Sequence, residues 1–192
     1  ENEKYPLILS VYGGPGSKMV SNSFRHRDHD QALAQLGFLV AIVDHRGCSG
    51  RGKTFQNLMY LNLGQVELED HVAAVKHLAA RPYVDATRVG ISGHSYGGYL
   101  TCMALLGAPD VFHVGVAGAP VTDWRNYDTI YTERYMRRPQ DNPEGYEKGS
   151  AVAHAKDLKG RLSIHHGAVD DNVHPGNAVQ LLEALLRENK KF

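Results

Sequence analysis

The run Gly93-His94-Ser95-Tyr96-Gly97-Gly98 sets a serine between glycines two positions away on either side, the Gly-x-Ser-x-Gly pattern of a nucleophile elbow. Its context gives the match weight. An apolar run, Arg88 to Ser92, precedes it and helical spacing follows from Ser95 to Leu106, so the serine falls on a strand-to-helix turn. On such a turn the hydroxyl projects above the sheet, and side chains at the glycine positions would collide with neighbouring backbone. The new helix aims its free N–H groups and positive dipole end at any oxyanion beside Ser95. The plain alternatives are a Gly-rich turn with an incidental serine, or a phosphate-binding loop. The latter needs Gly-x-x-x-x-Gly-Lys or Gly-x-Gly-x-x-Gly spacing, and the elbow has neither.

A serine hydroxyl is a poor nucleophile at its free pKa, so it requires an imidazole base whose tautomer a carboxylate holds. With this elbow the chain order is serine, acid, histidine. Downstream, the apolar run Leu162 to His165 leads into Gly167-Ala168-Val169-Asp170-Asp171-Asn172-Val173-His174, which puts two carboxylates at a strand end. One of them is the expected acid. Only His174 follows them, four residues past Asp170 and ahead of a helix, and it is not expected to be the base. That group should come from a later strand and loop, with Lys190-Lys191-Phe192 as the lead into the strand. His94 is expected to pack, because adjacent elbow side chains diverge. His165 and His166 read as pocket wall or satisfied core histidines.

The elements that must position these groups are legible as alternation. Short apolar runs at 7–12, 38–43, 88–92, 114–117 and 162–165 read as strands, separated by helical patterns at 30–36, 66–80, 95–106 and 175–188. This is the signature of an α/β fold with a mostly parallel sheet covered on both faces, whose chemistry sits at the strand C-termini. In the second helix Leu68, Val72, Val75 and Ala79 mark the apolar face. Residues 124–149 break the alternation with Trp124, Tyr127, Tyr131, Tyr135 and Tyr146 among charges and prolines, a helical excursion that could form either a satellite core or a pocket.

Length and composition agree with one domain: 192 residues, 42% hydrophobic, with no internal repeat or linker. Lys+Arg and Asp+Glu both number 21, and this balance removes the electrostatic basis for binding nucleic acid or an anionic membrane. No apolar run approaches the ~20 residues of a membrane helix. The chain opens on Glu1-Asn2-Glu3-Lys4 with neither a leader nor an initiator Met, which suggests a piece of something longer. Cys48 and Cys102 form neither a disulfide framework nor a zinc spacing, so no cofactor or metal is expected. The one stretch that hints at a metal, His26-Arg27-Asp28-His29-Asp30, reads as a solvated charged face. Asp44 and Arg46 read as a structural ion pair or loop anchor.

Taken together, these residues resemble the peptidase domain of the prolyl oligopeptidase family of serine peptidases, in its dipeptidyl peptidase IV branch, with an α/β-hydrolase fold. Besides the elbow, the resemblance rests on Tyr12-Gly13-Gly14-Pro15-Gly16, Asp44-His45-Arg46-Gly47, Trp124 with Tyr131-Thr132-Glu133-Arg134-Tyr135-Met136, and His166-Gly167 through Asp170-Asp171-Asn172-Val173-His174. It covers nearly the whole chain. It implies Ser95 as nucleophile, Asp170 as triad acid, and an oxyanion hole made by the Tyr12 hydroxyl and the Tyr96 backbone N–H. It also implies that Val121, Trp124, Tyr127 and Tyr131 form an apolar pocket for a substrate proline or alanine, with Val173 on its edge and Asn172 holding a substrate carbonyl. Asp171 is the rival acid, and Tyr127 and Tyr131, four apart, are expected to share one helix face.

The implied function is a peptidase whose parent releases dipeptides after a penultimate Pro or Ala through an acyl-enzyme. Alternatives on the same fold are an acylaminoacyl peptidase, an oligopeptidase or a carboxylesterase. A non-catalytic interaction domain is a further alternative, against which the presence of Ser95, Tyr12 and Asp170 together counts. The family's catalytic histidine lies beyond the last strand and its propeller domain precedes the peptidase domain, and neither corresponds to residues within 1–192. The expectation is therefore a partial peptidase domain, inactive alone because loss of the base removes most triad catalysis. Its expected partners are a peptide substrate, its own propeller and, in the parent, a second copy. The resemblance leaves periplasmic, secreted or membrane-anchored locations for the parent.

Overall fold

The structure is a computed structural model that describes residues 3–23 and 29–192. Of the stretch that hints at a metal, residues 26–28 lie outside the described residues. In chain order the elements are β1 (Tyr5–Val11), α1 (His29–Gln35), β2 (Leu39–Ala41), α2 (Lys53–Gln56), α3 (Val66–Ala79), β3 (Val84–His94), α4 (Tyr96–Gly107), β4 (Val114–Gly118), α5 (Thr129–Met136), α6 (Pro143–Lys148), β5 (Arg161–His165) and α7 (Gly176–Arg187).

The five strands form one sheet in the order β2-β1-β3-β4-β5, with every pairing parallel. After β1 the chain steps to β2 on one side, and β3, β4 and β5 then build outward on the other. This reversal opens a crevice at the carboxyl ends of β1 and β3, where open α/β sheets bind ligands. Val11, the last residue of β1, pairs with Gly93, so Tyr12 and Ser95 leave adjacent strands at the same level.

One sheet face is sealed by α4, whose residues Tyr96 through Leu106 are all buried and which packs on β1, β3, β4 and β5. A helix apolar on all sides is a buried one. Leu7, Leu9 and Val11 alternate into this core, while Ile8 and Ser10 between them are half-buried. On β4 the alternation leaves Val114 and Val116 47% and 41% exposed. With Ile8 and Phe38 they line an apolar groove of about 460 Å³.

Element ends differ from the sequence expectation where tertiary partners intervene. The run 38–43 pairs only at Leu39–Ala41, on the sheet edge. The run 88–92 extends to eleven residues, because Val84 and Asp85 also pair with β1 before a register shift. At that shift the Asp85 carboxylate accepts bonds from the Thr87 N–H and hydroxyl and from Arg88 Nε, a local knot that interrupts the ladder. On α3 the buried residues are Glu67, His71 and Val75, spaced four apart, whereas Leu68, Val72 and Ala79 are half-buried. The expected apolar face is therefore its flank, turned by about one residue.

Residues 124–149 fold as a single 3-10 turn at Trp124–Asn126, then α5 and α6. Each start is capped by a side chain: Asp123 accepts the Arg125 N–H, Asp128 the Tyr131 N–H and Asn142 the Gly145 N–H. Trp124, Met136 and Tyr146 are continuous with the main core, so the excursion is not a separate satellite cluster. Among the described residues no helix is long and apolar enough to cross a membrane.

Candidate active site

Ser95 sits at φ 59 and ψ −118, a strained conformation for a residue with a Cβ. It is held there from both sides. Its N–H donates to Gly118 O on β4 at 2.8 Å, and its carbonyl accepts the Tyr99 N–H of α4 at 3.0 Å. A Cβ on Gly93 would lie 2.4 Å from Val11 O, one on Gly97 would lie 2.3 Å from Val11 O, and one on Gly98 would lie 2.3 Å from Gly118 O. The three glycines let β1, β3, β4 and α4 meet at one point, which lifts the serine out of the sheet.

The two candidate oxyanion donors are Tyr96 and Tyr12. Tyr96 is the first residue of α4, where a backbone N–H has no intrahelical acceptor and the helix dipole is positive. Tyr12 follows β1, is 39% exposed, and its ring centroid is 6.1 Å from that of Tyr96. Among the described residues the Ser95 hydroxyl has no hydrogen-bond partner, so Oγ is free to accept a base.

Asp170 is on the loop after β5. Its Oδ1 accepts the backbone N–H groups of Val173 at 2.9 Å and Asn172 at 3.0 Å. These bonds, the Val173 N–H foremost, hold its pKa below the usual carboxylate value. Oδ2 lies 3.6 Å from His166 Nε2, but that nitrogen bonds Val173 O at 2.7 Å and the ring is nearly buried. His166 therefore braces the loop. Asp171 is exposed and accepts no hydrogen bond among the described residues, which separates the two candidate carboxylates. His94 is exposed rather than packed: parallel pairing of β3 with β4 carries its side chain above Gly118. With His165, His166 and Asp170 it lines an open groove of about 810 Å³ beside the edge strand β5.

The aromatic residues converge. Trp124, 1% exposed, stacks on Tyr131 at 5.9 Å and meets Tyr127, Tyr96 and Tyr99 at 6.0, 5.4 and 4.9 Å. Tyr135 packs behind Tyr131 at 4.9 Å. Tyr127 and Tyr131 do not share a helix face, because Asp128 caps α5 and leaves Tyr127 extended before it; the rings meet edge-on at 5.4 Å instead. The Tyr127 hydroxyl donates to Asn172 Oδ1 at 2.9 Å, joining this wall to the Asp170 loop. Val121 and Val173 are each 2% exposed and belong to the same core cluster as Trp124, so they back the wall from inside.

Other residues resolve as structural. Asp44 accepts the Met19 and Val20 N–H groups, and Arg46 pairs with Asp70 and Glu69 rather than with Asp44. The run from Gly47 to Thr54 has the Gly-x-x-x-x-Gly-Lys-Thr spacing that the elbow lacks. It makes no phosphate loop, since β2 ends at Ala41 and Lys53 opens a helix of four residues. Glu67 was invisible to pattern reading, which counts it as polar. It is fully buried and bonds the Tyr96 hydroxyl at 2.5 Å, and its 67-71-75 spacing with Val75 was the available signal.

A model of the prolyl oligopeptidase family matches residues 23–192. The chain is 43% identical over 196 residues to dipeptidyl peptidase 8 of Homo sapiens, covering 99% of this chain and 22% of the relative. It is 46% identical over 186 residues to a probable dipeptidyl-aminopeptidase B of Metarhizium robertsii, covering 95% of this chain and 20% of the relative. Among solved structures, Porphyromonas gingivalis dipeptidyl peptidase 4 superposes with a TM-score of 0.94 at 44% identity, over 100% of this chain and 27% of that one. The chain thus spans about a fifth of the length of the curated relatives it matches.

Proposed function

The chain belongs to the prolyl oligopeptidase family, and from that premise we propose that it is the nucleophile-bearing part of a serine peptidase that removes dipeptides from peptide N-termini after a penultimate proline or alanine. Ser95 Oγ attacks the scissile carbonyl and loses its proton to a histidine. The Tyr12 hydroxyl and the Tyr96 N–H take the developing oxyanion, and the histidine returns the proton to the leaving amine as the C–N bond breaks. Water then hydrolyses the acyl-enzyme by the same route. Asp170, kept ionised by its own loop, orients the histidine.

The observation that carries the reading is the elbow: a strained serine opening α4, with no room for a side chain at Gly93, Gly97 or Gly98. Two further features support the narrower substrate class. The aromatic wall, in which Tyr127 meets Tyr131 edge-on over a buried Trp124, suits a proline ring or alanine methyl, and the relatives are named as dipeptidyl peptidases and dipeptidyl-aminopeptidases. Asn172, whose Oδ1 accepts the Tyr127 hydroxyl, has its amide NH2 left to donate to a substrate carbonyl.

The histidine comes from outside residues 1–192, in a longer polypeptide with a propeller and a second copy as partners. The open groove beside Asp170 supports this, because it leaves a face of the carboxylate loop uncovered next to an edge strand. Residues 1–192 alone are then inactive. The test takes the complete protein with Xaa-Pro, Xaa-Ala, N-blocked peptide and short ester substrates, and a Ser95→Ala control labelled with a fluorophosphonate. Hydrolysis of free-N-terminal Xaa-Pro and Xaa-Ala peptides with loss of label in Ser95→Ala is expected. Fast turnover of esters alone, or equal labelling of the variant, overturns the reading.

A further inference from the structure

Glu67 is the second residue of α3 and is 0% exposed. One oxygen, Oε1, accepts two bonds: from the Gly64 N–H at 2.6 Å and from the Tyr96 hydroxyl at 2.5 Å. The first is local and closes the turn that enters α3. The second joins residues 29 apart, and Tyr96 is the residue that follows the serine. Among the described residues the other oxygen, Oε2, is buried with no partner.

A carboxyl group in this place is costly to keep. It lies against an α4 whose first eleven residues are all buried, and burial pushes its pKa up to about 7. Apolar residues of similar volume would pack such a helix contact at least as stably as a buried polar pair. The pair is therefore better accounted for by what it holds than by what it stabilises. The Tyr96 ring touches Tyr12, Tyr99 and Trp124, with centroids at 6.1, 5.2 and 5.4 Å. One hydroxyl, fixed at its far end, thus sets a ring that separates the Tyr12 donor from the aromatic wall, on the residue whose own N–H is the other donor.

We propose that Glu67 is a positioning residue for catalysis, its carboxyl oxygen holding the Tyr96 side chain so that the Tyr96 N–H and the Tyr12 hydroxyl stay aimed at the oxyanion formed at Ser95. This rests on the peptidase reading above. It requires an acceptor oxygen at position 67 and not a negative charge.

The experiment compares Glu67→Leu, Glu67→Gln and Tyr96→Phe in the complete protein. For each, the rate of labelling by a small fluorophosphonate and the kcat and KM for an Xaa-Pro substrate are normalised to the folded fraction. Glu67→Leu is expected to slow labelling and kcat on the order of tenfold, as losing one buried hydrogen bond does, with KM changed less. Glu67→Gln keeps the acceptor and is expected to stay within about threefold of wild type. If Glu67→Leu does not fold, Tyr96→Phe, which keeps the ring, must show the slowing. Folded Glu67→Leu or Tyr96→Phe labelling at the wild-type rate overturns the proposal, as does Glu67→Gln as slow as Glu67→Leu. Wild-type protein that takes no label at all overturns the peptidase reading itself, and that outcome is distinct from the others.

Discussion

The Tyr127 hydroxyl donates to Asn172 Oδ1 at 2.9 Å, a side-chain link between the aromatic wall and the loop that carries Asp170. Asn172 also donates its N–H to the Asp170 carboxylate, so a single loop residue touches both the aromatic wall and that carboxylate. Tyr127→Phe should therefore raise KM for Xaa-Pro substrates several-fold, in line with one lost hydrogen bond of about 1 kcal/mol, while kcat changes little. Steady-state kinetics on the complete protein checks it, and an equal fall in kcat with unchanged KM counts against it.

Tyr12 is the more exposed of the two proposed donors to the oxyanion. Because a donor of this kind acts mainly in the transition state, Tyr12→Phe should lower kcat by about 100-fold or more and leave KM near wild type. Unchanged melting temperature is expected alongside, since the hydroxyl makes no hydrogen bond among the described residues.

Gly98 tests the elbow packing without altering Ser95. A Cβ there meets Gly118 O at 2.3 Å, backbone that cannot turn aside. Gly98→Ala must push β4 from α4, and destabilisation on the order of 3 kcal/mol is expected, with loss of labelling at Ser95. Denaturant unfolding measures the first and fluorophosphonate the second. Gly50→Ala is the control: its φ of 86 brings some strain, but a Cβ meets nothing within 4 Å, so its effect should be smaller.

Stability should also report the Glu67 carboxyl. Tyr96 and Tyr99 from α4, Tyr131 from α5 and Asp70 on its own helix face it, and burial dominates in raising its pKa from 4.5 to about 7. Between those values the unfolded chain ionises while the folded one keeps its proton, so this group's contribution to stability is full below pH 4.5 and is lost as pH rises to about 7. The loss is on the order of 3 kcal/mol. Glu67→Gln should remove this component, so its stability relative to wild type rises over that window. Parallel curves for the two proteins would place the carboxyl pKa at its ordinary value.

Much of the fold could be read from local pattern. Five apolar runs became five parallel strands, because the inward-facing residues of a sheet strand must be apolar whatever lies beside them. The elbow was equally legible, since the glycines answer to backbone collisions within a few residues of Ser95. Strand ends were not: the shift at Pro6 and the trimming of β2 depend on which neighbour each residue meets. Tyr127 misled for a related reason. Its spacing from Tyr131 suits a helix, yet the Asp128 carboxylate caps α5 one residue too late to include it. His94 was expected to pack and is exposed, because the side chain beside Ser95 is aimed over Gly118 by the pairing with β4 and not by the elbow itself.

By itself the sequence determined the class of fold, the candidate nucleophile and a short stretch holding the candidate acid, all of which follow from residues close together along the chain. Tertiary structure decided which carboxylate is held, through the Val173 and Asn172 N–H groups, and which faces touch. It alone brought Glu67 to Tyr96 across 29 residues and Tyr127 to Asn172 across 45. Periodicity records that a face is buried but not what it is buried against, and a carboxyl group sealed in a core is chosen by its distant partner.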